Sequence, residues 1–477
     1  LVCSADGNQQ TPRVVSDGAG GAVIAWLDER DWENRSLYVQ KLDATGDTLW
    51  AKDGVLVGEA DDSPKIVSDG AGGAIVAWVD TTETDPYYGG DNFGVLNIQR
   101  ITSSGTVALG WTAGGIAIDD SDIIRDFAIA SDGAGGVWIA WTEYDHELRA
   151  ARFSSAGANV ADTLLSWGEL PNYSLSIASD GADGAIVAWS EDRNIFYSDI
   201  LAQKVDGAGN PQWATTGVTV CAADGDQDTP EIVTDGAGGA IVTWIDGRAS
   251  GDYDVYAQRV ASSGATMWTS DGVKLCSAGR IQTSARPNIV ADGFGGAIVT
   301  WMDYRSGERY EVYAQRVSAS GGIQYFSSGL ELCSTYAYQI FPMAVTDGDG
   351  GAIISWMNAT FDSQTIYAQR VVNEGILDSG GADRPYANVL YQNVPNPFTS
   401  TTRIAFTNKK PGRARLEVFD AAGRLVRVLS DGPVQTPVQV EEWDGRDDNG
   451  RPMPAGTYFY RVEAPGWVSM KKMTLAK

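Results

Sequence analysis

Seven tryptophans in this chain are each followed, two residues later, by a polar side chain: Asp28, Asp80, Glu143, Glu191, Asp246, Asp303 and Asn358. Six of these seven are acidic, and Arg30, Arg193, Arg248 and Arg305 follow closely behind four of them. Two kinds of chemistry fit. An acid beside an arginine makes an ion pair that ties a loop, and repeated positions recur first for structural reasons. Alternatively, carboxylates presented on one face bind cations or the hydroxyls of a glycan, and an all-oxygen ligand set suits calcium. Asp224-Gly225-Asp226-Gln227-Asp228 and Asp347-Gly348-Asp349 add aspartate-rich loops as calcium candidates, although neither completes an EF-hand loop.

Catalytic signatures are sparse. His146 is the only histidine, so a Ser-His-Asp or Cys-His arrangement has no other base, and multi-histidine metal sites are excluded. There is no Gly-x-Ser-x-Gly elbow and no phosphate loop. Paired carboxylates need no histidine, which leaves a glycosidase or polysaccharide lyase built on Asp, Glu, Tyr and Arg. Trp32, Tyr87, Tyr88 and Tyr304 fall in loops, where aromatic rings stack on sugars or on a partner protein, or simply cap the fold.

The elements that must position these side chains follow from a repeat. Asp17, Asp69, Asp132, Asp180, Asp235, Asp292 and Asp347 each open an Asp-Gly-x-x-Gly turn, and each stands nine residues before a tryptophan: Trp26, Trp78, Trp141, Trp189, Trp244, Trp301 and Trp356. Successive copies are 48 to 63 residues apart, a length that suits four strands with variable loops. The glycines supply a tight turn, and the apolar run ending in tryptophan reads as a strand covered on both faces. A third strand of the type Tyr256-Ala257-Gln258-Arg259-Val260 follows, then a fourth such as Gly272 to Cys276. The pattern predicts an all-β fold: a seven-bladed β-propeller over residues 1–375.

The seventh repeat has no fourth strand of its own. Leu1-Val2-Cys3-Ser4 matches Glu331-Leu332-Cys333-Ser334, and Cys3 and Cys333 both stand 14 residues before an Asp-Gly turn. The ring is therefore expected to close by N-terminal strand exchange, which removes an open sheet edge. Cys3, Cys221, Cys276 and Cys333 occupy one equivalent position on different blades, too far apart to pair. Four small buried hydrophobes are expected there rather than a zinc site.

The 477 residues include 56 glycines and 16 tryptophans, as befits a turn-rich β-protein. A formal net charge of −27 argues against nucleic acid or an anionic membrane as partner. That charge is uneven: residues 391–477 hold 13 Lys+Arg against 9 Asp+Glu and are net basic, whereas the remainder is strongly acidic. No apolar run approaches the roughly 18 residues that span a bilayer. Leu1 follows neither a methionine nor an apolar leader, and the expectation is a secreted chain whose signal peptide has been removed.

After a polar linker at 376–390 the repeat stops, and six or seven short alternating segments in residues 391–477 predict a small immunoglobulin-like β-sandwich. Asn393-Val394-Pro395-Asn396-Pro397-Phe398, Leu416-Glu417-Val418-Phe419-Asp420, Trp443-Asp444-Gly445-Arg446 and Ala455-Gly456-Thr457-Tyr458 occur in order. This segment resembles a type IX secretion C-terminal sorting domain and is similar to the immunoglobulin-like domain of the flagellar hook-capping protein. The resemblance implies export by a secretion machinery across the outer membrane of a Gram-negative bacterium, to the cell surface or medium. In that family the domain is often removed after export. The propeller half lacks the Gly-His and Trp-Asp signature and the Ser-x-Asp-x-Gly-x-Thr-Trp box of other propellers, so no known site transfers onto it. The leading expectation is a non-enzymatic extracellular or cell-surface protein, the propeller acting as a rigid binding or structural module. Surface glycan is one candidate partner. Another is a second copy of the chain, its basic tail meeting an acidic propeller head to tail, which gives a filament if the contact does not close. The alternative is an extracellular polysaccharide-active enzyme with carboxylates on one propeller face.

Overall fold

The computed structural model describes the chain apart from residues 32–34, 62–63, 85–91, 120–123, 144–146, 168–171, 195–196, 250–251, 277–285, 326, 334–336, 361–363, 372–388, 392, 394, 409–411, 435–437 and 477. Trp32, Tyr87, Tyr88, His146 and most of the expected linker thus lie outside the described residues. What is described is strand and turn, with no helix.

Each copy of the repeat folds into one antiparallel meander in chain order. The first sheet consists of Gln9–Ser16, Ala22–Asp28, Ser36–Leu42 and Val55–Glu59, and five more four-stranded sheets follow. A seventh has three strands, Tyr338–Thr346, Ala352–Ala359 and Gln364–Val371. The hairpin between first and second strands is the Asp-Gly turn: Asp17 Oδ1 accepts the amides of Ala19 and Gly21, both at 2.8 Å. Gly21 has no substitute there, because a Cβ would lie 2.2 Å from the Leu42 carbonyl oxygen. The second strand carries the apolar run. Val137–Glu143 and Ala297–Asp303 are buried at every position, as expected of strands sandwiched between sheets.

The core is accordingly laid down in layers between consecutive sheets. Ala25, Leu27 and Val39 of the first sheet pack with Val76 and Trp78 of the second. Ile75, Leu96 and Ile98 of the second pack with Val137, Ile139 and Trp141 of the third. Truncating one of these indoles to alanine costs about 3–5 kcal/mol.

Two compact units are formed, Leu1–Arg248 with Gln258–Gly272, and Ala249–Ala257 with Val273–Lys477. The division falls inside the fifth sheet, and the C-terminal sandwich shares the second unit with the last sheets. That sandwich packs a three-stranded sheet (Val389–Leu390, Thr402–Thr407, Val438–Trp443) on a four-stranded one (Leu425–Val434, Gly412–Asp420, Gly456–Ala464, Trp467–Leu475). Leu390, Phe398, Ile404, Phe406, Trp443 and Tyr460 fill its interior.

Among the described residues the seventh sheet has three strands, and the expected N-terminal strand exchange is not seen. Residues 1–5 carry no strand, and the seventh sheet ends at Gln364–Val371. Instead the N-terminal segment is held on the first sheet, where the Ser4 amide donates to Asp53 Oδ1 at 2.7 Å and Arg30 Nη2 reaches Cys3 Sγ at 3.5 Å. Fourth strands here are short, two residues in Val273–Lys274 and in Leu330–Glu331, so each contributes only a few ladder bonds.

Candidate functional site

The residues two beyond each tryptophan end the second strand, with the loop to the third strand above them. Asp28, Asp246 and Asp303 are fully buried. Asp28 accepts Trp26 Nε1 at 2.8 Å, the Arg30 amide at 2.9 Å, and Arg30 Nε and Nη2 at 2.8 and 2.7 Å. Asp246 repeats this with Trp244 and Arg248, and Asp303 with Trp301 and Arg305. Each arginine also donates to a carbonyl of the turn before the fourth strand: Asp53, Asp271 or Ser328, all at 2.7 Å. Arg30 and Arg305 stack over Tyr38 and Tyr313 at 3.7 Å. Burial alone would raise the Asp28 carboxyl, but hydrogen bonds from Arg30 and Trp26 hold it below its ordinary value.

These three sites share a sulfur. Arg30, Arg248 and Arg305 each point Nη2 at a cysteine carried by the segment before their own sheet, Cys3, Cys221 and Cys276, at 3.5, 3.2 and 3.1 Å. All four cysteines are free thiols. Burial pushes the Cys221 thiol up to about 12, which removes it from nucleophilic chemistry.

The other four positions diverge. Glu143 accepts Trp141 Nε1 at 2.7 Å, and Glu191 accepts Ser166 Oγ at 2.7 Å. The Trp78 indole donates to the Glu59 carbonyl instead of to Asp80, whose carboxyl is raised by burial and by neighbouring Glu59 and Asp61. Asn358 is buried without an arginine two residues on.

A second acidic group arises beside Glu191. Asp192 is half-buried, and its carboxyl is pushed up to about 6 by burial and by the charges of Asp226 and Asp228. Asp226 in turn accepts the Ser198 hydroxyl at 2.7 Å. At the other aspartate-rich turn, Asp347 and Asp349 both pair with Arg370, at 2.6 and 2.9 Å. Among the described residues no group of three or more His, Cys, Asp or Glu side chains is arranged to hold a metal ion. Tyr304 packs on Tyr310, ring centroids 5.1 Å apart.

One link was not anticipated from the sequence. The free oxygen of every turn aspartate pairs with a cation on the third strand: Asp17–Lys41, Asp69–Arg100, Asp132–Arg152, Asp180–Lys204, Asp235–Arg259, Asp292–Arg316 and Asp347–Arg370, all within 2.6–3.2 Å. Several of these cations reach on to the next sheet, as Lys41 does to the Gly72 carbonyl at 2.7 Å and Arg152 to that of Gly207 at 3.0 Å. The signal was legible: a Lys or Arg follows the glutamine in all seven third strands except the third, where Arg152 follows an alanine.

Known proteins add to this geometry. Residues 393–466 match the FlgD Ig-like domain. No curated protein matches the chain. Among solved structures, the BP39L lectin of Burkholderia pseudomallei superposes with a TM-score of 0.53 at 13% identity, covering 76% of this chain and 96% of the lectin. A Dyadobacter fermentans protein of unknown function gives 0.43 at 11% identity, over 78% and 96% of the two chains. PorZ, a surface component of the type IX secretion system of Porphyromonas gingivalis, gives 0.20 at 10% identity, over 95% and 74%. The fold is all-β with propeller-like neighbours and a C-terminal Ig-like domain.

Within the Ig-like domain the Asn-Val-Pro-Asn-Pro-Phe motif is an internal staple. Asn393 Nδ2 donates to the Pro395 carbonyl at 3.1 Å and to Thr402 Oγ1 at 2.9 Å, and its amide donates to the Tyr460 hydroxyl at 2.8 Å. Asn396 Oδ1 accepts the Thr474 amide at 2.8 Å, and buried Phe398 meets Trp443 edge-on. Trp443 Nε1 donates to the Arg446 carbonyl at 2.8 Å, which fixes the Trp-Asp-Gly-Arg turn. The motif residues thus build the sandwich, and no helix among the described residues is long and apolar enough to cross a membrane.

Proposed function

We propose that this chain is a non-enzymatic protein of the cell surface or medium of a Gram-negative bacterium, exported through its Ig-like domain by a type IX system, with a seven-bladed propeller as a rigid binding or structural module. The observation that carries the non-enzymatic reading is that Asp28, Asp246 and Asp303 are buried and already saturated by tryptophan and arginine donors. Such carboxylates act as clamps within a repeat. Calcium or glycan would need other oxygens.

Closure of the ring has separate support. In the seventh sheet Ile366 is 74% exposed, whereas its counterpart Val312 in the sixth is fully buried. The same face carries exposed Ile353, against buried Ile298. On the first sheet Ile24 is half-buried where Val76 and Ile139 are fully buried. Faces of these two kinds meet between the first and second, second and third, and sixth and seventh sheets, and closure would cover both, with Leu1–Ser4 as the seventh sheet's fourth strand. Electron microscopy with light scattering at low and high salt tests the reading. Closed discs support it, whereas salt-weakened filaments make the acidic propeller and basic tail an intermolecular pair.

The polysaccharide-active alternative rests on Asp192, a carboxyl raised to about 6 beside two further aspartates. A raised acid with a neighbouring carboxylate is what glycoside cleavage needs. Turnover of a polysaccharide that disappears in Asp192→Asn would select it.

A further inference from the structure

In four repeats the third-strand glutamine performs one task. Gln40, Gln99, Gln203 and Gln258 donate from Nε2 to the carbonyls of Ala51, Thr112, Ala214 and Thr269, at 2.8, 2.5, 2.6 and 2.8 Å. Each carbonyl also takes the amide of the glycine three residues on: Gly54, Gly115, Gly217 or Gly272. It therefore belongs to the turn that leads into the fourth strand. Among the described residues the seventh repeat shows no such turn, yet it has the glutamine. Gln369 is buried, and with its amide nitrogen facing acceptors it donates to the Asn396 carbonyl at 2.9 Å and to the Leu332 carbonyl at 3.2 Å. Asn396 lies in the Asn-Val-Pro-Asn-Pro-Phe motif of the Ig-like domain.

Two further contacts lie beside it. The Asn396 amide donates to the Leu332 carbonyl at 3.2 Å. Tyr391 and Ala405 of the Ig-like domain join the apolar layer of the last two sheets, with Tyr325, Leu332, Ile354, Trp356 and Val371. The strand Thr402–Thr407 serves two cores at once: Ile404 and Phe406 face the sandwich interior, whereas Ala405, on the opposite face, is fully buried against the sheets.

We infer that the Ig-like domain is a structural member of the repeat array, its Asn396 carbonyl taking from Gln369 the hydrogen bond that the fourth-strand turn takes in the other repeats, and that it stays on the working protein as a buttress of the last sheet. Export tagging alone asks for no contact with the repeats. Here the domain fills a hydrogen-bonding position that the repeat defines and covers a tryptophan layer that would otherwise face water.

Hydrogen exchange on the full-length protein tests this with Ala405→Arg, whose side chain lies outside the sandwich core, and with Gln369→Leu, which lies outside the Ig-like domain. Ala405→Arg is expected to speed exchange of the Asn396 amide and of the strands Ala352–Ala359 and Gln364–Val371 at least about tenfold, while Gly412–Asp420 and Gly456–Ala464 keep their protection. Gln369→Leu moves the same amides in the same direction by a smaller factor. If Ala405→Arg also unfolds the sandwich, Gln369→Leu alone decides. An Asn396 amide that exchanges freely in the wild type, or a seventh sheet unchanged after Asn396 is released, overturns the inference. So does an intact mass of the natively exported protein that lacks residues 391–477.

Discussion

Replacing Asp303 by asparagine separates a clamp from a ligand site. The side chain is inaccessible to water and accepts Trp301 Nε1 at 3.1 Å, the Arg305 amide at 2.8 Å and the Arg305 guanidinium. Asparagine keeps the shape and removes the charge, leaving Arg305, whose side chain is only 15% exposed, with the Ser328 carbonyl, Cys276 and the Tyr313 ring. Breaking a buried pair from one side costs about 3–5 kcal/mol. The surviving partners put this case near the lower end, about 3 kcal/mol. Because a repeat array does not unfold as one two-state unit, the loss is read locally, as amide exchange in Ala297–Asp303 and Glu311–Val317. About 3 kcal/mol corresponds to roughly a hundredfold faster exchange. Asp80→Asn is the internal control with opposite sign, since that carboxyl is raised by burial and by Glu59 and Asp61. Its replacement is expected to slow exchange in the second sheet slightly at neutral pH. Exchange in Asp303→Asn that stays within threefold of wild type refutes the clamp and returns the carboxylate to the list of groups free to bind.

Further outcomes follow from the same geometry. Glu331 is pushed up to about 7 by burial and by Glu311, against the opposing charges of Arg305, Arg309 and Arg403. The folded state then binds the proton more tightly than the unfolded chain, so stability of the last sheets falls as pH rises from about 4.5 to 7 and levels off above; the shift bounds the loss at roughly 3 kcal/mol. Glu331→Gln is expected to flatten that slope in melts taken across the range. Asp192, raised to about 6, opposes folding once ionised, and Asp192→Asn is expected to add about 1 kcal/mol above pH 6 after solvent screening, and nothing below pH 4. In native thiol labelling followed by mass spectrometry, half-buried Cys3 reacts first, and buried Cys221, Cys276 and Cys333 react only on unfolding. Gly54→Ala puts a Cβ 2.5 Å from the Trp26 ring at a φ of +92°, a combined cost of roughly 3 kcal/mol in a denaturant melt of the first sheet.

The strands of the repeat were legible because three signals coincide in it: a turn that needs glycine, an apolar run, and a tryptophan at constant distance. The strands of the Ig-like domain were legible through alternation instead, and Val438–Trp443 is one of the short alternating segments. The pairing of Asp28 with Arg30 was also readable, being local in sequence. What was not readable was where each partner's remaining hydrogen bonds go. The Arg30 contact with Cys3 spans 27 residues, and the link from Lys41 to the Gly72 carbonyl joins two sheets. A backbone acceptor has no residue type, so no sequence pattern announces it. The Gln369 contact with Asn396 was hidden more deeply, because it joins the last repeat to a different domain.

The cation on each third strand has a consequence for how such a protein can change size. Lys41, Arg152 and Lys204 each bind the turn of their own sheet and then a backbone carbonyl one sheet ahead. Because the forward acceptor is main chain, it is supplied by any copy of the repeat, whatever its side chains. Duplicating or deleting a whole repeat would leave no polar group stranded along the array. For these links any copy of the repeat can serve as the next one, and that interchangeability ends at the seventh repeat, where Gln369 meets the Ig-like domain in place of another copy.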